Sequence, residues 1–300
     1  MGQTGSARDL SQDPNRFALI ADTHIMPEPS AIARGNNMTE NLQQVVNAIT
    51  QLDVLPGHVI LNGDLATDGS PPTPAAYQQF GRLVHPLREA GRQLHLTMGN
   101  CDRRSLCAET LAELCPQHPP VEGRLVDMLK TEHANWFFLD SLYNTDRTVT
   151  EGNLGEAQIH WLSKSLDQYA GRPAIVVAHH HLEMGTNVKL DRGSTISPDG
   201  SPVWDKNAGL LDNDAVVDVL QQRRHVKAYL CGHTHVWKLG ETDGLHLINL
   251  PATGYRFDPE QPLGWVEGQL SADGLRLRLH AMDAGHRLNG QNIHLAWRKG

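Results

Sequence analysis

The chain has 300 residues, of which 39% are hydrophobic and 20% are charged, and its formal net charge at pH 7 is −8. That length and composition fit a globular protein with a sizeable core and exclude a disordered chain. The acidic balance argues against a protein that binds duplex nucleic acid or a membrane surface, because both usually carry basic faces, and no apolar run approaches the ~18 residues needed to span a bilayer.

Strand-like and helix-like segments alternate through the first third of the chain. Helix 38–52 is predicted from apolar residues at helical spacing, and the next helix is predicted to start at Thr73-Pro74 and to end at Gly91. Strands are predicted at 17–21, 58–64 and 93–100. Such alternation is typical of a largely parallel sheet that is covered by helices.

The remainder of the chain continues this pattern and then changes character. Strands are predicted at 135–140, 174–179, 226–232 and 245–250, with helices at 156–169 and 212–223. Residues 265–282 alternate apolar and polar side chains around an Asp-Gly turn, which predicts an antiparallel hairpin. We expect a leader at 1–15, one domain at 16–283 and a tail at 284–300, with 183–209 as an active-site loop or lid.

Side chains with an oxygen or nitrogen donor atom follow each of the main predicted strands. They occur in the motifs "DTH", "NGD", "MGNCD", "AHHH" and "GHTH". In an open α/β sheet, the carboxyl ends of the strands form the crevice where ligands bind, so these side chains should converge. Residues i and i+2 of an extended segment point to the same side, so "DTH" and "HTH" each direct two donors at one place.

Taken singly, each motif also has a structural explanation. Either aspartate could cap a following helix, and the "HHH" run could be a solvated turn. The ordered set of five motifs, each at a strand end, argues instead for a metal site. Carboxylate, amide and imidazole donors without thiolates suit two divalent transition-metal ions, namely Mn, Fe, Zn, Co or Ni.

On these motifs the sequence resembles the calcineurin-like metallophosphoesterases, and among them the bacterial class III cyclic-nucleotide and glycerophosphodiester phosphodiesterases. The resemblance covers about residues 16–283. It implies an α/β fold, a four-layer α/β-β-α sandwich of two mixed sheets flanked by helices, with a dinuclear metal centre.

The resemblance also implies the ligands. Asp22, His24 and His235 would hold one metal, Asn100, His180 and His233 would hold the other, and Asp64 would bridge the two. Asp64 and Asn100 are in addition the expected catalytic residues. The run "AHHHLE" lacks the proline that usually fixes the register, so His179 remains an alternative to His180. His180 is preferred because it leaves a histidine after it, as in the family.

The motif "GNCD" departs from the family, which most often has a histidine where this chain has Cys101. A thiol is a poor hydrogen-bond donor and carries no positive charge, so we expect Cys101 to contribute less to phosphate recognition. Asp102 normally orients the missing histidine, and here it is expected to pair with Arg103 or Arg104.

The activity implied is hydrolysis of a small phosphodiester, such as a cyclic nucleotide or a glycerophosphodiester, by a hydroxide that bridges two metals. A phosphomonoesterase or nucleotidase is the alternative. A non-catalytic scaffold is disfavoured because all seven ligand positions are filled. We expect a cytoplasmic protein without a membrane partner, because the first 16 residues lack the apolar core of a signal peptide and the four cysteines form no CxxC pair.

Overall fold

A computed structural model describes residues 12–67, 72–143, 150–183, 189–190 and 209–299. Two β-sheets stack face to face and helices cover both outer faces, which confirms the predicted four-layer sandwich. Across the described residues, no helix combines the length and apolarity that crossing a membrane requires.

The first sheet has six strands and contains both ends of the described chain. Its strands are β1 (Gln12–Ala21), β2 (Leu55–Asn62), β3 (Gln93–Thr97), β11 (Gly264–Ser271), β12 (Gly274–Ala281) and β13 (Asn292–Ala296). The spatial order is β13-β12-β11-β1-β2-β3, with β1, β2 and β3 parallel. The predicted hairpin is β11–β12. Strand β13 lies within the segment 284–300 that was expected to be a tail.

The second sheet has seven strands. They are β4 (Asp127–Lys130), β5 (Asn135–Phe138), β6 (Ala174–Val177), β7 (Lys189–Leu190), β8 (Val226–Cys231), β9 (Lys238–Thr242) and β10 (Leu245–Asn249). Their order is β4-β5-β6-β8-β10-β9-β7, and β5, β6, β8 and β10 run parallel. Apart from β7, the predicted lid 183–209 lies largely outside the described residues.

Five helices flank the sheets in the described part of the chain. They are α1 (Met38–Thr50), α2 (Pro74–Glu89), α3 (Arg104–Thr110), α4 (Glu156–Gln168) and α5 (Asn213–Gln221). Helix α2 begins as predicted: the Thr73 side chain accepts a hydrogen bond from the Ala76 amide, and Pro74 occupies the first turn. The short α3 was not predicted.

Three hydrophobic cores separate the four layers. One lies between α1–α3 and the first sheet, the second lies between the two sheets, and the third lies between the second sheet and α4–α5. In the middle core, the tilted rings of Phe17 and Trp136 pack with centroids 4.4 Å apart. This packing brings the carboxyl ends of the parallel strands of both sheets to the same edge of the molecule.

Candidate metal centre

The two sheets are joined at this edge by hydrogen bonds between predicted ligands and neighbouring backbone groups. The His233 amide, after β8, donates to both carboxylate oxygens of Asp22, after β1, at 3.0 and 3.1 Å. The His179 ring, after β6, bonds through Nδ1 to the Asn62 carbonyl of β2 at 3.0 Å. Residues of both sheets therefore converge as the sequence predicted.

One group of donors consists of Asp22, His24 and His235. Their ligand atoms all lie within 4.8 Å of one another, and all three side chains are buried. His235 Nε2 is 3.3 Å from Asp22 Oδ1 and 3.2 Å from His24 Nε2. This spacing allows a single ion to contact all three.

A second group consists of Asp64, His179 and His233, again with ligand atoms within 4.8 Å of one another. Asp64 Oδ2 is 3.4 Å from His179 Nε2. The same oxygen is 3.6 Å from His24 Nε2 in the first group. Asp64 thus lies between the two groups, where a bridging carboxylate would be required.

The rings of His24 and His235 direct unprotonated nitrogens at the centre. His24 Nδ1 bonds to the Thr67 carbonyl at 2.9 Å, and His235 Nδ1 bonds to the Tyr255 carbonyl at 2.7 Å. A carbonyl can only accept, so each Nδ1 carries the hydrogen and each Nε2 carries a lone pair. The two Nε2 atoms lie only 3.2 Å apart, where two lone pairs repel unless a cation lies between them.

Asn100 supplies a further oxygen. Its Oδ1 atom is buried and has no hydrogen-bond partner among the described residues. A buried carbonyl oxygen without a partner is costly, and a cation would satisfy it. Together with the buried carboxylates and lone pairs, this oxygen shows that the residues present fit two oxygen- and nitrogen-ligated metal ions.

The geometry favours His179, and not His180, as the histidine of the second group. His180 Nδ1 lies 2.8 Å from Ser141 Oγ and its Nε2 lies 3.2 Å from the Thr150 carbonyl, so both of its nitrogens are already engaged. His179 leaves Nε2 without a hydrogen-bond partner in the described part of the chain, next to Asp64. The contacts therefore favour the alternative ligand, His179, over the His180 preferred from the sequence, and His179 is the ligand that we propose.

Backbone strain is concentrated at this centre. Eight described residues other than glycine have positive φ, and five of them are expected ligands: Asp22, His24, Asp64, His233 and His235. Such conformations are uncommon outside glycine and persist at functional sites where the surrounding structure enforces them. Gly232 is required for close approach, because a Cβ there would lie 2.5 Å from Asp22 Oδ2.

Asp102 has a different role from the one expected. It accepts hydrogen bonds from the Leu65 amide at 3.0 Å, the Gly99 amide at 2.9 Å and the Tyr77 hydroxyl at 3.1 Å. Arg104 instead pairs with Asp140. Burial, aided by the nearby charge of Asp64, raises the pKa of Asp102 to about 7. Asp102 therefore ties together the loops that carry Asp64 and Asn100.

Cys101 lies inside the centre. Its Sγ is within 4.8 Å of a ring nitrogen of His24 and a carboxylate oxygen of Asp64, and its backbone amide donates to Asp64 Oδ1 at 2.8 Å. The amide therefore helps to position the central carboxylate. The thiol brings no positive charge to the site, as the sequence indicated.

A proton on His179 offsets part of the negative charge in the cluster. Burial alone would lower the pKa of His179, but the carboxylates of Asp64 and Asp22 raise it to about 10. Burial would likewise raise the pKa of Asp64, yet His179 and His24 hold it well below its usual range. Burial lowers the pKa of His24 and of His233, which keeps these two rings neutral and ready to bind metal.

The proton on His179 predicts that metal loading depends on pH. Below its pKa of about 10, His179 carries a proton that must leave when Nε2 binds an ion. Affinity for the second ion should therefore rise with pH, by up to about tenfold per unit between pH 6 and 8. Competition with a chromophoric chelator measures it, and an affinity that does not change over this range would contradict a protonated His179.

Sequence reasoning missed features that no motif encodes. The carbonyls of Asn62, Thr67 and Tyr255 orient ligands, and any residue type could supply them. The position of His179 in the sequence could have indicated that it is the ligand. It is the second residue after its strand, behind a single small residue, just as Asp64 follows Gly63 and His233 follows Gly232.

The chain is similar to proteins of one family along most of its length. The model of the calcineurin-like phosphoesterase family matches residues 15–237. The chain is 29% identical over 296 residues to a "probable cyclic nucleotide phosphodiesterase" of Synechococcus sp., covering 97% of this chain and 98% of the relative. It is 28% identical to the 3′,5′-cyclic adenosine monophosphate phosphodiesterase CpdA of Haemophilus influenzae, with 86% of each covered.

A solved structure shares the fold. The dimetal phosphatase of Danio rerio superposes with a TM-score of 0.69 at 14% sequence identity, covering 95% of this chain and all (100%) of that one. At that identity the likeness shows the fold alone.

Proposed function

The chain belongs to the calcineurin-like phosphoesterase family and is a metal-dependent phosphoric ester hydrolase, and from its site we propose that it hydrolyses small phosphodiesters, with a 3′,5′-cyclic nucleotide as the substrate. The observation that carries this proposal is the pair of adjacent donor groups with Asp64 between them. The proposed ligands are Asp22, His24, Asp64, Asn100, His179, His233 and His235. A non-catalytic scaffold would have no need to keep such a set.

When bound, two metal ions would supply an activated water and positive charge against the phosphate oxygens. The residues of this chain fix where that chemistry occurs. Asp64 is held by the Cys101 amide at 2.8 Å, and Asp22 is held by the His233 amide at 3.0 Å. Because these donors are backbone groups at strand ends, the centre is preorganised and costs little reorganisation during the reaction.

The choice of a diester rests on charge. A diester brings one negative charge to the site, whereas a monoester at neutral pH brings nearly two. Cys101 stands where the family most often has a histidine, so this position offers a neutral thiol and no positive charge to a second phosphate charge. The names of the relatives support a cyclic nucleotide as the diester.

The test is a substrate comparison with metal-reconstituted protein. Cyclic AMP and bis-p-nitrophenyl phosphate should be cleaved with higher kcat/KM than p-nitrophenyl phosphate and AMP, and a chelator should abolish each activity. Faster cleavage of the monoesters would show that the protein is a phosphomonoesterase or nucleotidase.

A further inference from the structure

A large aromatic side chain is exposed beside the metal centre. Phe257 is 61% exposed, although it is one of the bulkiest apolar side chains in the protein. Its ring centroid lies 4.7 Å from that of His235, a proposed ligand. One part of the Phe257 ring therefore contacts the centre, and the rest faces solvent at its rim.

The segment that carries Phe257 is anchored to the centre. Tyr255 is buried, and its ring packs against His24 at 4.8 Å and against His235 at 4.4 Å. Tyr255 and Phe257 meet edge to face at 5.3 Å. The Tyr255 carbonyl also accepts the hydrogen bond of His235 Nδ1. Residues 255–257 therefore orient the ligand His235 and also carry the exposed ring of Phe257.

The following turn is fixed as well. Arg256 Nη1 donates to the Gln261 carbonyl at 3.0 Å, and the Gln261 side chain accepts from the Trp237 amide at 3.0 Å. These contacts hold the position of Phe257 without burying its ring.

Arg34 adds a planar cation to this rim. Its guanidinium carbon lies 4.7 Å from the Tyr255 ring centroid and 5.3 Å from that of Phe257. Arg34 is exposed and has a positive φ of 49°. Proteins stack nucleobases on aromatic rings and on guanidinium planes.

We infer that Phe257 and Arg34 form the subsite that stacks the nucleobase of the substrate, an inference that rests on the proposed function. In a cyclic nucleotide the base is separated from the phosphate by the ribose alone. The rim is separated from the donor atoms by one ring, that of His235. A cyclic nucleotide whose phosphate lies at the centre can therefore place its base on the exposed part of Phe257.

This subsite has a definite specificity. Stacking accepts any base because every base has a π face, so discrimination should follow stacking area. Purine cyclic nucleotides should bind better than pyrimidine ones, and a sugar phosphate without a base should bind weakly.

The experiment measures binding, so that its outcome does not depend on turnover. Calorimetry on manganese-reconstituted protein gives Kd for AMP and for ribose 5-phosphate, in which a hydroxyl replaces the base. Wild type should bind AMP roughly tenfold more tightly, and Phe257→Ala should reduce this ratio nearly to one. Phe257→Trp should preserve the ratio. Leu211→Ala removes another exposed apolar side chain, 57% exposed, and should leave the ratio unchanged.

Two results would overturn the inference: equal affinities for AMP and ribose 5-phosphate in wild type, or an unchanged ratio in Phe257→Ala. Failure of the proposed function has a separate signature. In that case the reconstituted wild type does not hydrolyse cyclic AMP, whatever the binding ratio is.

Discussion

Asp64→Asn is expected to lower the occupancy of both metal sites and to reduce phosphodiesterase kcat by roughly three orders of magnitude or more. Asp64 Oδ2 is 3.4 Å from His179 Nε2 and 3.6 Å from His24 Nε2, so this carboxylate serves both donor groups. An amide has no negative charge and cannot offer two equivalent oxygens.

Asparagine should keep the backbone conformation of residue 64, so the effect of the substitution can be assigned to the side chain. Asp64 has a φ of 48°, and asparagine is among the residues that best tolerate this left-handed region. Metal content by elemental analysis and kcat on bis-p-nitrophenyl phosphate measure the effect. Asp53→Asn makes the same chemical change at an exposed position and should alter neither quantity. Near wild-type turnover in Asp64→Asn would show that Asp64 is not the bridge.

His179→Gln is expected to lose one metal per chain and to lower activity by at least roughly a hundredfold, whereas His180→Gln should retain both metals. The two residues are adjacent and both are buried, so the pair is a matched test. His179 Nε2 faces Asp64, while both ring nitrogens of His180 are engaged by Ser141 and Thr150.

The readout is metal content after reconstitution, with thermal unfolding as a check that both variants fold. His180→Gln should be less stable, because it removes the ring that makes one buried and one partly buried hydrogen bond. The opposite pattern, in which only the His180 variant loses a metal, would restore the ligand predicted from the sequence.

The fold was readable from the sequence wherever periodicity was strong. Helices α1 and α2 and the hairpin β11–β12 were predicted because their apolar spacing is unambiguous. Four strands, β4, β7, β9 and β13, were not predicted. Of these, β4 and β13 are short strands at the sheet edges with few buried residues. Strand β1 begins at Gln12, before the apolar run, because the polar residues there pair with the start of β2.

Most of the candidate ligands could also be predicted from the sequence. Asp22, His24, Asp64, Asn100, His233 and His235 come from motifs whose spacing reflects strand ends. The choice between His179 and His180 depends on which of the two rings directs a nitrogen at the cluster. A run of three consecutive histidines does not reveal this. The base-stacking rim could not be predicted either, because Arg34 and Phe257 are far apart in the sequence and meet only through the fold.

The most direct test of the dinuclear centre is a titration of metal-free protein with Mn²⁺ while hydrolysis of a phosphodiester is followed. Two adjacent donor groups that share Asp64 predict that activity is absent without metal and rises until two equivalents per chain are bound. Activity in metal-free protein, or activity that is complete at one equivalent or less, would contradict a dinuclear centre.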